Sequence, residues 1–126
     1  MRNLQQLRDK AEKMTLFLEE RCGTDQPSLI MDRIEKLNVM LIQSGECLAD
    51  AKYHQDQIIH STITKALTEA YHDKLSATLI KDFVRSTAKD YNYLVTMFDR
   101  INSACVHQID SLRSVLSFIK AQYQIT

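Results

Sequence analysis

The chain has 126 residues, 44% of them hydrophobic, and its 16 basic side chains balance its 16 acidic side chains. This length predicts one domain, residues 1–126, and the neutral balance lacks the basic excess that is typical of nucleic-acid-binding proteins. Only two glycines and one proline are present, so the composition excludes most sheet folds and favours long helices.

The three cysteines, Cys22, Cys47 and Cys105, are an odd number without metal-site spacing. They fit a reducing compartment best, so we expect a cytoplasmic protein with reduced thiols. No apolar run approaches the length of a membrane span, and the first residues lead directly into a charged amphipathic segment. The sequence therefore predicts neither a secreted nor a membrane-embedded protein.

The first predicted helix follows Asn3, a plausible N-cap. Its apolar residues alternate at intervals of three and four, as in the seam of a bundle: Leu4, Leu7, Ala11, Met14 and Leu18. We expect Gly23 to end this helix in a left-handed conformation and Asp25 to cap the next helix. Pro27 then fits the first turn of that second helix.

The second predicted helix runs from about Ser28 to about Tyr71. Its apolar seam comprises Ile30, Ile34, Leu37, Leu41, Leu48, Ala51 and Ile58, and then Ile59, Ile63, Ala66 and Ala70. Gly45 lies within this helix, where a bend or the close approach of another helix is possible.

The third predicted helix is one uninterrupted rod from Ser76, a candidate N-cap, to Tyr123. Apolar residues recur every three or four positions along it, and neither proline nor glycine interrupts them. We expect Phe98, Ile101, Leu112 and Leu116 to be core residues.

Together these elements predict an all-α fold in which a short first helix packs on a long antiparallel hairpin of two helices, forming a helical bundle. The first helix is long enough to cover only half of the hairpin. The other half would be a two-helix ribbon with wide apolar faces, which monomers rarely leave exposed. We therefore expect a homo-oligomer, most simply a dimer, that completes the bundle.

Three carboxylate–histidine pairs have helical spacing. Glu69 and His72 are separated by three positions, as in bundle di-metal sites, but the second copy and partner glutamates of such sites are missing. Asp50/His54 and Asp56/His60 are single pairs that offer too few ligands. The sequence therefore predicts surface electrostatics, with no metal and no cofactor.

Arg100 is followed by His107 on the last helix, two turns apart on nearly one face. This spacing resembles the catalytic motif of HEPN-type ribonucleases, although Ile101 stands where that family usually has a polar residue. The resemblance implies a dimer in which His107 acts as acid and base while Arg100 stabilises the phosphorane charge.

The segment 76–123 also resembles a C-terminal pattern of small, uncharacterised helical proteins of bacteriophages and prophages. The pattern runs from Arg100-Ile101-Asn102 through residues 107–114 to Ser117 and Lys120. The resemblance implies a phage accessory protein in the host cytoplasm, with five polar residues as binding candidates: Arg100, Asn102, His107, Asp110 and Arg113.

Three functions remain open from the sequence. The first is a non-enzymatic helical-bundle protein that binds another macromolecule, favoured by the absence of familiar enzyme motifs. The second is the ribonuclease. The third is an accessory that binds single-stranded nucleic acid in recombination or replication through five cations: Lys81, Arg85, Lys89, Arg100 and Arg113. The partner expected first is an unidentified protein.

Overall fold

A computed structural model of the protein describes residues 1–73 and 76–125, apart from the side chains of residue 66, residues 69–73 and residue 125. This part of the chain forms four helices: α1 (Leu4–Glu19), α2 (Pro27–Asp73), α3 (Ala77–Thr87) and α4 (Lys89–Ile125). The described ranges contain no strand, and the prediction of an all-α fold is confirmed.

Helix α1 begins as its sequence predicts and ends differently. The Asn3 side chain accepts a hydrogen bond from the Gln6 N–H, and the Gln6 side chain accepts one from the Asn3 N–H, so a capping box closes the N-terminus. At the other end Glu20 leaves the helix in an extended conformation, with φ −67° and ψ 133°. Gly23 has no left-handed φ, so the prediction of a glycine C-cap is wrong.

Helix α2 starts at Pro27, where the fixed φ of proline suits a first turn. The Gln26 carbonyl accepts the N–H groups of Leu29 and Ile30, which gives the cap position to Gln26 and not to Asp25. The helix continues through Gly45, and a Cβ built there would meet no described atom within 4 Å. Within the described chain, therefore, no helix approaches Gly45 closely.

The predicted third helix is two helices. Helix α3 follows the Ser76 cap, whose hydroxyl accepts the Leu79 N–H, and it ends at Thr87, with Ala88 as the C-cap at ψ 6°. Ala88 is buried and is the only apolar residue between Val84 and Tyr91. Hydrogen bonds from the Ala88 N–H to the Val84 carbonyl and from the Asn92 N–H to the Ala88 carbonyl cross the break.

Helices α2 and α4 form the antiparallel hairpin. Three side-chain hydrogen bonds indicate their register: Arg33 donates to the Gln108 side chain, the Ser44 hydroxyl lies 3.5 Å from the Phe98 carbonyl, and the Gln55 amide donates to the Asn92 side chain. Between the helices lies one core. Its buried members are Leu7, Ala11, Met14, Ile30, Leu37, Cys47, Ala51, Leu94, Phe98, Ile101, Cys105, Ile109 and Leu112.

Helix α1 lies in one groove of the hairpin and contacts both long helices. It spans 16 residues, whereas α2 spans 47, so much of α2 extends past it and packs with α3. The expected hairpin with partial cover is therefore observed. Of the four predicted core residues, Phe98, Ile101 and Leu112 are buried, while Leu116 is half-buried because it lies at the edge of the core.

Candidate protein-interaction surface

One buried arginine holds the C-terminal end of α1. The Arg33 side chain is only 8% exposed, and its Nη2 donates to the Phe17 carbonyl (2.8 Å), the Glu20 carbonyl (3.2 Å) and the Gln108 Oε1 (3.3 Å). The guanidinium also lies 3.9 Å from the centroid of the Phe17 ring. Because the last carbonyls of a helix lack partners within it, Arg33 supplies the cap that Gly23 does not.

Gln108 of α4 completes this cap. Its Nε2 donates to the Leu18 carbonyl at 2.9 Å, while its Oε1 accepts from Arg33. The end of α1 is thus bonded by side chains from both helices of the hairpin. This arrangement fixes the groove in which α1 lies.

The N-terminal end of α1 is held by a second polar cluster. The Arg2 guanidinium donates to Asp50 (3.0 Å) and Glu46 (3.3 Å), and the Arg2 backbone N–H also donates to Asp50. His54 bonds the Arg2 carbonyl at 2.8 Å and stacks on the Tyr91 ring. The Asp50/His54 pair predicted as surface electrostatics is therefore an anchor for Arg2.

The carboxyl of Asp50 responds to two opposed effects. Its partial burial favours the neutral acid, but the hydrogen bonds from the Arg2 N–H and guanidinium favour the carboxylate more strongly, so the pKa of Asp50 lies below its usual value. The same contact, led by the hydrogen bond to Asp50, raises the pKa of Arg2. This cluster is an ion pair that stabilises the fold.

The side of the hairpin turned away from α1 forms a second, unoccupied groove. On α2, Arg33 bonds the end of α1, and Met40 lines a hollow together with Phe17 of α1. The residues one position later on α2 lie across the core seam, on the side of the hairpin away from α1. We call this second groove the open face; its residues are Ile34, Leu41 and Leu48 on α2 and Val95, Asn102, Ile109 and Leu116 on α4. Each row repeats every seven residues.

Apolar side chains dominate the open face. All but Asn102 are apolar, and most are half-buried, with their outer sides in contact with solvent. At one end a hollow of about 680 Å³ lies between Ile34 and Asn38 of α2 and Arg113 and Leu116 of α4. None of the described helices lies over this groove, so the surface has the shape of a bundle that lacks a layer.

Asn102 carries the one polar group in the centre of the open face. Its Oδ1 is buried, yet within the described part of the chain it has no hydrogen-bond partner. Leaving a buried acceptor unsatisfied costs about 1–3 kcal/mol. The register of the hairpin sets Asn102 level with Leu41, with Ile109 level with Ile34 and Val95 level with Leu48.

Other exposed apolar groups lie elsewhere. Leu16 and Tyr93 border a hollow between α1 and α4. On the half that α1 does not cover, Leu67 of α2 and Leu79 and Phe83 of α3 are more than half exposed. Leu79 and Phe83 lie one turn apart on α3, whereas the rows of the open face run along residues 34–48 of α2 and 95–116 of α4.

The structure separates the five predicted binding candidates. With about 100° between successive residues, Asn102 and Arg113 lie within about 20° of each other, on the side of the open face. Arg100 and His107 lie together on the other side of α4, about 160° and about 140° from Asn102. Asp110 is exposed between the two groups.

Arg100 and His107 are both exposed, as residues of one helix face. His107 borders a hollow of about 290 Å³ with Glu20, Cys22 and Arg33, and Arg100 is not among the residues that line it. No ion pair or hydrogen bond links Arg100 to any described side chain. Whether the pair performs catalysis stays a prediction.

The predicted nucleic-acid cations are likewise divided. Lys81, Arg85 and Lys89 are exposed on α3 and at the start of α4, whereas Arg113 borders the open face more than twenty residues away. The set does not form one stripe.

The residue types that bind metal ions do not cluster in the described part of the chain. No cluster of three or more histidine, cysteine, aspartate or glutamate side chains occurs among the residues that the structure describes. The side chains of Glu69 and His72 lie outside the described ones. Along the same residues, no helix is long and apolar enough to cross a membrane.

Comparison of the chain with protein-family models, curated proteins and solved structures returned no significant match. The open face was missed by the sequence analysis, although a signal existed: Ile34, Leu41 and Leu48 repeat every seven residues, as Val95, Asn102 and Ile109 do. Two parallel rows of this kind, beside a separate core seam, indicate a helix with two apolar neighbours.

Proposed function

We propose that this protein is a non-enzymatic helical-bundle protein that acts by binding another macromolecule, and that this macromolecule is a protein chain packed on the open face. The observation that carries the proposal is the double row of heptad-spaced side chains along α2 and α4, with no described helix above it. A groove of this kind accepts the apolar side of another helix.

Charge supports a protein partner over a nucleic acid. The chain is neutral overall, and Arg113 is the only predicted phosphate-binding cation that borders the open face. Nucleic-acid affinity depends on many phosphate contacts, which a face of this composition does not offer.

We also propose that the protein acts in the cytoplasm. The support is the presence of three free cysteines in the described chain, since buried free thiols suit a reducing compartment. The phage or prophage origin implied by residues 76–123 stays a prediction.

Photo-crosslinking tests the binding surface directly. A photoreactive side chain at the exposed Asn38, beside the open face, is expected to form covalent adducts with protein in the cells that make this chain. The matched control is the same side chain at Lys13, which is exposed on α1. No adduct at Asn38, or the same adducts at both positions, would contradict the proposal.

A separate experiment tests the alternative function as a ribonuclease. Purified protein and the His107→Ala variant are incubated with RNA of mixed sequence, and cleavage is followed on a gel. Cleavage by the wild type that is lost in the variant would replace the binding proposal, and intact RNA in both samples removes the alternative.

A further inference from the structure

We infer that the chain on the open face is a second copy of this protein, related by a twofold axis that passes between Asn102 and the partner's Asn102. This inference rests on the proposed function, because it names the occupant of the same surface. Three properties of the surface lead to it: the chemistry of its central polar group, the symmetry of its rows and the size of the exposed area.

The central polar group matches itself. Asn102 has a buried Oδ1 without a partner in the described chain, and its amide carries both an acceptor oxygen and a donor NH₂ group. A twofold axis brings two such amides together, and when each amide turns so that its now shielded Oδ1 faces the interface, each NH₂ group can donate to the oxygen of the other. A single buried asparagine of this kind sets register and oligomeric state in helical bundles.

The two rows of side chains on the open face are symmetric about the level of Asn102. Leu41 is level with Asn102, and on each helix the neighbouring members lie seven residues before and after: Ile34 and Leu48 on α2, Val95 and Ile109 on α4. An axis perpendicular to the helices at this level lays α4 antiparallel on the second α4 and α2 on the second α2. Val95 then meets the partner's Ile109, so that apolar groups meet along the whole face.

The exposed area is sufficient for a dimer. The chain exposes 8862 Å², whereas a compact monomer of 14.6 kDa exposes about 6,900 Å². The excess belongs to the whole elongated chain, and a stable interface, which removes about 800 Å² from each partner, needs less than half of it. The neutral net charge does not oppose association of identical chains, and Gly45 leaves its side of α2 open to a close neighbour.

Sedimentation equilibrium of the purified protein tests the inference. We expect a mass of twice 14.6 kDa for the wild type and for the control Ser103→Lys, which adds the same charge at the next, exposed position. Asn102→Lys places two ammonium groups at the axis and is expected to weaken the dimer by about 100-fold or more. A dimer that survives Asn102→Lys would overturn the inference, because another surface would hold it.

A second variant distinguishes loss of the dimer from misfolding of the chain. Gly45→Lys puts a charge on the same side of α2, at a place where a Cβ meets no described atom within 4 Å, so the single chain keeps its fold. We expect the same loss of dimer, with helical content by circular dichroism equal to that of the wild type.

Cysteine pairing tests the register. In a Cys22→Ser background, mild oxidation is expected to join Asn102→Cys chains to each other. Ile34→Cys and Leu48→Cys, both at half-buried positions, should not dimerise alone but should join when they are mixed. Self-joining of Ile34→Cys would place the axis elsewhere and overturn the inference.

The two proposals fail in different ways. A wild type that sediments as one chain at 100-fold dilution and also at the highest soluble concentration overturns the second-copy inference. If Asn38 then still forms adducts with other proteins in cells, the proposed binding function stands with a different occupant. If it forms none, both are removed.

Discussion

Arg33 joins three helices through one guanidinium. Its Nη2 bonds carbonyls at the end of α1 and the Gln108 side chain of α4, while its own backbone belongs to α2. A charge this deeply buried is stable only with its partners in place. The residue is therefore a structural contact point, and its loss should affect the whole fold.

Arg33→Met is expected to destabilise the protein by about 2–4 kcal/mol, since it removes charge-assisted hydrogen bonds and leaves helix carbonyls without donors. Urea unfolding at fixed protein concentration measures the change. The matched control is Lys36→Met, one turn away, whose exposed pair with Asp32 should contribute less than about 1 kcal/mol. Equal losses in both variants would contradict the role given to Arg33.

The Asp50 contact predicts a dependence of stability on pH. In the folded state burial raises the pKa of Asp50, but hydrogen bonds from Arg2 lower it by more, so the pKa lies below its usual value. Such a carboxyl stabilises the fold above its unfolded pKa of about 3.9, and the contribution is lost as pH falls through the lowered folded value.

Asp50→Asn should therefore be less stable than the wild type at pH 7 by about 1 kcal/mol, and the difference should shrink progressively as pH falls below the unfolded pKa of about 3.9. Thermal unfolding across this range measures it. Asp110→Asn, at an exposed position, is the control and should follow the wild type throughout. A difference for Asp50→Asn that grows on acidification would contradict this account.

The three thiols should differ in reactivity. Cys47 and Cys105 are fully buried, and burial raises the pKa of both thiols, which disfavours the reactive thiolate. Cys22 is half-exposed. We expect a thiol reagent to label one cysteine rapidly in the native protein and all three after unfolding, with no rapid label in Cys22→Ser. Since all three are free, mild reductant should leave the melting temperature unchanged.

Helix α4 carries both the centre of the core and an exposed end. Phe98 is 0% exposed and Phe118 is 64% exposed on the same helix. Phe98→Ala should cost about 3–5 kcal/mol, because it leaves a cavity in the core. Phe118→Ala should change stability by less than about 0.5 kcal/mol. Urea unfolding compares the two, and similar losses would mean that the assigned core side of α4 is wrong.

Apolar spacing in the sequence was sufficient to predict α1, the long extent of α2 and the burial of Phe98, Ile101 and Leu112. It missed the break at Ala88, because Ser86 and Thr87 weaken a helix less visibly than glycine or proline.

The sequence also missed the role of Arg33, for a different reason. A charged residue between Ile30 and Leu37 looks like an interruption of the seam, and the partners of Arg33 are mainly backbone carbonyls, which no residue pattern marks. The unpartnered Asn102 likewise became visible only once its neighbours were placed.

The whole molecule is a rod whose length is set by α2. Its 47 residues span about 70 Å at 1.5 Å per residue. We expect small-angle X-ray scattering to give a radius of gyration of about 20 Å or more, whereas a compact particle would give about 14 Å for one chain of 126 residues and about 18 Å for two. A value near the compact one would contradict the extended hairpin.

The proposed dimer also bears on the alternative function as a ribonuclease. Two copies joined through the open face would carry Arg100 and His107 on their outer sides, about 160° and about 140° around α4 from Asn102. The two copies of this pair would then not face each other. A catalytic pair shared across a dimer needs a different interface, so the oligomeric test above also separates these two functions.

The cap of α1 has a consequence for the order in which the chain assembles. A ribosome releases α1 first, but the donors that complete its last turn come from Arg33 and from Gln108, the latter 90 residues after its acceptor Leu18. A helix of 16 residues is only marginally stable alone in water. During synthesis the last turn of α1 therefore lacks some of these hydrogen bonds until most of the chain has emerged and the hairpin has closed.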